Sequence, residues 1–168
     1  EIKFIEGWTF AQIRKVLNEH PAIEYKSAGL SDQQILQHIG ASETAVEGIF
    51  FPDTYYFIKG SSDLDILQRA YKTMQNHLQN YWSERVESLP LNTPYEALIL
   101  ASIIEKETGA ESDRAEIAGV FINRLRKGMK LQTDPTVIYG LGEQFDGNLR
   151  KKDLLADQEY NTYTRAGL

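Results

Sequence analysis

The sequence predicts an α+β fold that is mainly helical, and three observations carry this. Five segments place apolar residues at helical spacing, most of them opened by a capping pair and closed by Gly or before Pro. The β-branched and aromatic runs are short and broken by Gly, Pro or Asp. With 42% hydrophobic and 25% charged residues, the 168-residue chain has a globular composition and the length for one or two small domains with a real core.

Ile2, Phe4 and Ile5 suggest a short strand ending at Gly7. Thr9 with Gln12 reads as a capping box, in which each side chain satisfies the other residue's backbone N–H. It opens an amphipathic helix of Phe10, Ile13, Val16 and Leu17 that stops before Pro21. Ser31 with Gln34 caps a second helix carrying Ile35, Leu36 and Ile39 and closed by Gly40. Glu47–Phe57, EGIFFPDTYYF, is dense in aromatics, with a turn at Pro52-Asp53. Aromatic faces stack on sugar rings and carboxylates bind their hydroxyls, so Glu47, Asp53 and Tyr55 are candidate ligand contacts, while Phe50, Phe51 and Phe57 read as a plug that seats the loop on the core. Ser62 with Asp65 opens the longest helix; Leu64, Leu67, Tyr71, Met74, Leu78, Tyr81 and Trp82 form its core stripe, and Leu89-Pro90 ends it.

Thr93–Gly109, TPYEALILASIIEKETG, is the stretch the rest serves. Thr93 suits an N-cap, Pro94 the first helical position, Glu96 a capping box and Gly109 the stop. At 100° per residue Ile99, Leu100, Ile103 and Ile104 share a broad face with Glu107 at its centre, Glu105 nearly opposite and Lys106 toward the margin. A carboxyl buried there loses the hydration of its charged form, so its pKa rises and it becomes a general acid near neutral pH. The same position also suits an ordinary Glu where an apolar face runs out to solvent at a helix end.

Asp113 with Glu116 then caps a helix of Ile117, Val120, Phe121, Ile122 and Leu125 that Gly128 stops, with Asn123 and Arg124 near its negative pole. Asp134-Pro135 favours an extended or turn conformation. Thr136–Tyr139 suits a short strand broken by Gly140 and Gly142, with the polar run Gln132, Thr133, Asp134 leading into it. Asp146-Gly147 marks a turn, and YNTYTRAGL is a polar loop.

A net charge of −6 without a basic cluster argues against nucleic acid and against electrostatic membrane-surface binding. With no cysteine, disulfides and thiolate metal sites are excluded. His20, His38 and His77 show no ligand spacing, so no metal site is expected. No run is long and apolar enough to span a bilayer, and no signal peptide is visible. Both ends read as cut, so a fragment of a longer chain is expected.

Taken together, EGIFFPDTYYF at Glu47–Phe57, ASIIEKETG at Ala101–Gly109, AGVFINRLRKGMKLQTDPTVIYGLG at Ala118–Gly142, DGNLRKKDL at Asp146–Leu154 and YNTYTRAGL at Tyr160–Leu168 resemble the YceG-like family, the MltG-type endolytic murein transglycosylases. EGWT at Glu6–Thr9 adds to the resemblance. It implies a lysozyme-like catalytic core with a few short strands, preceded by the tail of a LysM-like lobe. Residues 1–40 would be that small N-terminal segment, and 41–168 a YceG-like catalytic domain stopping short of the family's proline-rich C-terminal stretch.

The resemblance also implies cleavage of the β-1,4 bond between N-acetylmuramic acid and N-acetylglucosamine in peptidoglycan, without water, leaving a 1,6-anhydro ring. The catalytic residue would be the second Glu of EKET, Glu107; Glu107-Thr108 resembles the Glu-Ser signature of lysozyme-like lytic transglycosylases. By position in the family's segments, Asp53, Gln132, Thr133, Asp134, Asn161 and Tyr163 would line the sugar groove, with Tyr55, Glu47 and Arg124 as further candidates. No cofactor is implied. The implied partners are peptidoglycan glycan strands and glycan-polymerising synthases, with membrane contact only through an anchor outside this chain. The implied place is the outer, periplasmic face of a bacterial cytoplasmic membrane. Two other readings stay open: a non-catalytic peptidoglycan-binding module, and a hydrolytic muramidase, which needs a second carboxylate such as Asp134 or Asp53. A purely helical interaction domain would leave Gln132–Asp134 unexplained.

Overall fold

The computed structural model describes residues 1–168. It divides into two compact units, Glu1–Glu84 and Arg85–Leu168. Residues 41–84 complete the sheets and core begun by residues 1–40.

The N-terminal unit holds β1 (Ile2–Lys3), α1 (Phe10–Glu19), β2 (Ile23–Glu24), α2 (Asp32–Ile39), β3 (Thr54–Tyr55), β4 (Ser61–Ser62) and α3 (Asp63–Ser83). β1 pairs antiparallel with β3 in the register Ile2 opposite Tyr55, and β2 pairs parallel with β4 in the register Ile23 opposite Ser61. All three helices open on reciprocal capping boxes: Thr9/Gln12, Ser31/Gln34 and Ser62/Asp65. Gly40 closes α2 at φ 71°, a left-handed conformation that a Cβ would oppose. Phe4, Leu17, Ile35, Leu36, Ile39, Ile49, Ile66 and Leu67 are fully buried and form the core. Phe50 stacks on Phe10 at 5.2 Å, Phe51 on His77 at 4.2 Å, and Phe57 meets His20 edge-on, so the aromatic segment does seat its loop on the helices.

α3 departs from expectation at its far end. It stops at Ser83, well before Pro90. Its buried residues are confined to the first half, Ile66, Leu67, Ala70 and Tyr71, whereas Met74, Leu78 and Trp82 are half-buried and Tyr81 is 70% exposed. The periodicity is real, but only its first half meets the core of the unit.

One buried carboxylate ties this unit together. Asp63 is fully buried and accepts the backbone N–H groups of Lys26 (2.8 Å), Ser27 (3.2 Å) and Leu64 (2.9 Å). Truncating it orphans these donors, so Asp63→Ala is expected to cost about 3 kcal/mol, read as a lowered urea midpoint. Asp63→Asn, which keeps an acceptor, should cost less than half as much.

The C-terminal unit holds α4 (Pro94–Glu107), α5 (Glu111–Arg126), α6 (Asp134–Leu141), a single 3₁₀ turn at Gly142–Gln144, and α7 (Lys151–Leu155). α4 packs on both α5 and α6. Leu91, Leu100, Ile103, Phe121, Leu131 and Val137 are its buried apolar residues. Thr93 caps α4 by accepting from Glu96 N, but the Glu96 carboxylate bonds Asn92 N at 2.7 Å, one residue before the box geometry. The helix ends at Glu107, two residues ahead of Gly109, which is not left-handed. α5 starts at Glu111 with Ala110 as an N-cap that lends no side chain, so Asp113 lies inside the first turn.

The expected strand over Thr136–Tyr139 is instead α6. Thr133 holds the extended N-cap conformation, Pro135 sits in the first turn where a missing N–H costs nothing, and Asp134 faces the positive end of the dipole. Burial of Val137 against the unit's core then outweighs the weak strand preference of Val and Ile.

Candidate active site

Three elements of the C-terminal unit converge on one phenol. The tail loop carries Tyr163, whose hydroxyl donates to Asp134 Oδ1 at 2.6 Å at the start of α6. That bond to a carboxylate, then burial, then the negative charges of Asp134 and Glu107 push the Tyr163 pKa up to about 12, against an opposing pull from Arg124. Glu107, Asp134, Arg124 and Tyr163 thus share one electrostatic neighbourhood, although Glu107 and Tyr163 are far apart in sequence.

Glu107 continues the row of buried Leu100 and Ile103 one turn on, as the face analysis expects. It is nevertheless exposed, because it is the last helical residue and the chain turns away after it. Of the two sequence readings, burial within the apolar face and an ordinary Glu where that face runs out to solvent, residues 1–168 show the second, and any desolvation comes from outside these residues. Glu105 pairs with Arg114 at 3.2 Å. The Thr108 hydroxyl accepts Ala110 N at 3.0 Å and orders the turn into α5.

Two laced loops hold Asp134 and Tyr163 in place. Gln132 N donates to Thr162 O (3.1 Å), Thr133 N to Thr162 Oγ1 (3.1 Å), and the Thr136 and Thr162 hydroxyls meet at 2.8 Å. The fully buried Asn161 donates to Leu154 O (3.1 Å) and Ala156 O (2.7 Å) and accepts Tyr163 N (2.8 Å). The Arg124 guanidinium donates to Leu131 O, reaching across the turn that follows α5. Thr133 and Asn161 have no exposed surface with which to touch a sugar, so their expected place in the groove lining is corrected to that of supports for their neighbours. Arg124 likewise anchors the loop. Thr162, buried and joined to residues 132, 133 and 136, escaped the sequence reading; its only signal was the polar density of YNTYT. Gln132 is exposed, and at φ 53° it is the chain's sole non-glycine residue in the left-handed region, a conformation that costs an L-residue about 1–2 kcal/mol.

The whole chain, residues 1–168, matches the YceG-like family. The chain belongs to that family. An endolytic murein transglycosylase of Bacillus subtilis (strain 168) is 42% identical to it over 124 residues, covering 73% of this chain and 34% of the relative. One of Streptococcus pneumoniae serotype 2 (strain D39 / NCTC 7466) is 32% identical over 128 residues, covering 73% and 23%. The matched part is thus well under half the length of either relative. A crystal structure of a yceG-like protein from Listeria monocytogenes superposes with a TM-score of 0.70 at 29% identity, covering 99% of this chain and 60% of that one. The mainly helical α+β architecture is therefore that of a solved YceG-like protein.

The remaining site candidates of this YceG-like chain lie in its N-terminal unit. Tyr55 is buried, packs on Phe4 at 5.1 Å and donates its hydroxyl to Phe51 O at 2.5 Å. Its ring is packed inside the core, as in the plug reading of this aromatic segment. Glu47 accepts Phe10 N at 2.8 Å and so caps the start of α1. Asp53 is exposed; its carboxylate accepts Thr54 N at 2.7 Å and its carbonyl accepts Phe4 N at 2.9 Å.

Burial first, then the charge of Asp53, pushes the Tyr55 pKa up to about 12 as well. A tyrosine whose pKa is raised on folding stabilises the native state fully below its unfolded value of 10.0, and that contribution is lost as pH rises through about 12. Burial, then its bond to Glu43, raises the Tyr71 pKa in the same direction. Phenolate absorbance should therefore show three of the nine tyrosines titrating late, Tyr55 and Tyr163 at about 12, with stability falling over the same window. Tyr163→Phe should remove one of the three.

Proposed function

We propose that this chain is the catalytic portion of an endolytic peptidoglycan lytic transglycosylase, cutting the N-acetylmuramic acid–β-1,4–N-acetylglucosamine bond and leaving a 1,6-anhydro muramyl end. The gathering of Glu107 with the Tyr163–Asp134 pair supports this reading most directly. The names of the relatives supply the substrate class.

Glu107, protonated, donates to the glycosidic oxygen as the C1–O bond breaks and positive charge develops at C1. The resulting carboxylate removes the proton of the muramyl C6 hydroxyl, whose oxygen bonds to C1, and Glu107 ends protonated as it began. The nucleophile belongs to the substrate and is held by its own ring, so a single carboxyl serves twice where ordinary glycosidases need two. The negative charge of Asp134 favours the oxocarbenium-like centre. Tyr163, held on Asp134, remains a hydroxyl donor across the neutral range. The bound strand itself excludes water from the exposed Glu107.

Asp134 also favours a second reading, a hydrolytic muramidase, because it is a second carboxylate in the neighbourhood of Glu107. Family resemblance alone supports the wider setting: an anchor outside this chain, the outer face of the bacterial cytoplasmic membrane, and action beside glycan-polymerising synthases to end new strands.

The test is mass analysis of products from purified peptidoglycan, with the full-length protein and this chain in parallel. Anhydromuramyl ends are expected. Reducing ends would establish the hydrolase instead. Strand binding without cleavage by either protein would leave a binding module.

A further inference from the structure

Gln132 stands out because nothing inside the protein accounts for its side chain. Its backbone sits at φ 53°, which glycine adopts freely and glutamine does not. The conformation is imposed from both sides. Leu131 and Thr133 are fully buried, Gln132 N is bonded to Thr162 O, and the Leu131 carbonyl is held by Arg124. Yet the carboxamide is exposed and takes no partner within the protein. Glycine would satisfy every internal requirement at this position with less strain. A strained non-glycine residue over-determined by its surroundings points to function. Two residues further on is Asp134, which accepts the Tyr163 hydroxyl at the start of α6, and α6 packs on α4, the helix that ends in Glu107.

The chemistry of the exposed group narrows its ligand. A carboxamide offers two N–H donors and one carbonyl acceptor, so it can both give and receive one hydrogen bond with another amide, which neither a carboxylate nor an ammonium can do. Both sugars of the proposed scissile bond carry such an amide at C2. We propose that Gln132 is a specificity-determining residue that reads the 2-acetamido group of an N-acetylhexosamine next to the cleaved bond. This rests on the peptidoglycan reading and deepens it.

The experiment compares initial cleavage rates of the full-length protein on purified glycan strands and on the same strands after chemical de-N-acetylation, together with thermal melts. The wild type is expected to prefer acetylated strands by about 10- to 100-fold, the range of one paired polar contact. Gln132→Gly should fall to the de-N-acetylated rate on both substrates, with Tm held or raised because strain is relieved. Gln132→Asn, which keeps the amide and tolerates the left-handed backbone, should recover part of the preference. A Gln132→Gly variant that retains the preference overturns the proposal, as does one that loses activity equally on both substrates or melts lower. If the wild type cleaves neither substrate, the transglycosylase reading fails along with it. Cleavage of both strands at equal rates by the wild type overturns the acetamido assignment alone.

Discussion

Glu107→Gln is expected to reduce glycan cleavage by about 10³-fold or more while leaving the fold intact. The amide is isosteric with the acid but cannot give a proton to the glycosidic oxygen, and it is too weak a base to remove one from the C6 hydroxyl. Because one residue carries both proton transfers, its loss cannot be shared out to a partner. Glu107 is exposed at the end of α4 and supports no buried neighbour, so Tm should move by only about 1 °C. Glu105→Gln is the internal control. It lies in the same EKET motif but is committed to an exposed pair with Arg114, and such pairs add little, so its activity should stay within about twofold of wild type. Rates on purified strands with parallel melts decide the matter. Substantial cleavage by Glu107→Gln would sink the single-carboxyl mechanism and turn attention to Asp134.

What could be read ahead of the structure was local. The pairs Thr9/Gln12, Ser31/Gln34 and Ser62/Asp65 lie within one helical turn, so their capping boxes are written in neighbouring residues. Angular position on a helix is equally local, and Glu107 does lie in the row of Leu100 and Ile103. Its burial is a different quantity, set by what covers the last turn of α4, and no spacing rule reports that. Thr136–Tyr139 reads as a strand because Thr, Val, Ile and Tyr prefer one; an N-cap, a first-turn proline and the burial of Val137 outweigh that preference. Tyr55 shows the same limit in reverse, since an aromatic beside a turn carries no mark telling a sugar platform from a core ring. The bond between Tyr163 and Asp134 spans 29 residues and depends on Thr162 lacing two loops, a contact with no local signature. Family resemblance named these segments, but it did not separate the residues that face the solvent from those that support them.

That separation is testable at Asn161, where the largest stability effect in the C-terminal unit is expected. The side chain is fully buried and bridges two elements: its amide nitrogen satisfies carbonyls of Leu154 and Ala156 at the end of α7, and its oxygen receives the N–H of Tyr163. The last carbonyls of a helix have no partner of their own, so these bonds cap the short α7 on the buried Asn161 side chain. Asn161→Ala leaves those groups unpaired and should cost about 2–4 kcal/mol. Asn161→Asp should cost more, because it keeps the acceptor for Tyr163 N but sets a carboxylate against carbonyl oxygens in a buried space. The expected order of urea midpoints is therefore wild type above Ala above Asp. Cleavage should fall in the same order, since loosening Tyr163 N releases the phenol from Asp134. A sugar contact would behave differently. If Asn161→Ala kept the wild-type midpoint and lost only kcat/KM, the residue would belong to the groove, and the description of these loops as a support for Tyr163 and Asp134 would be wrong.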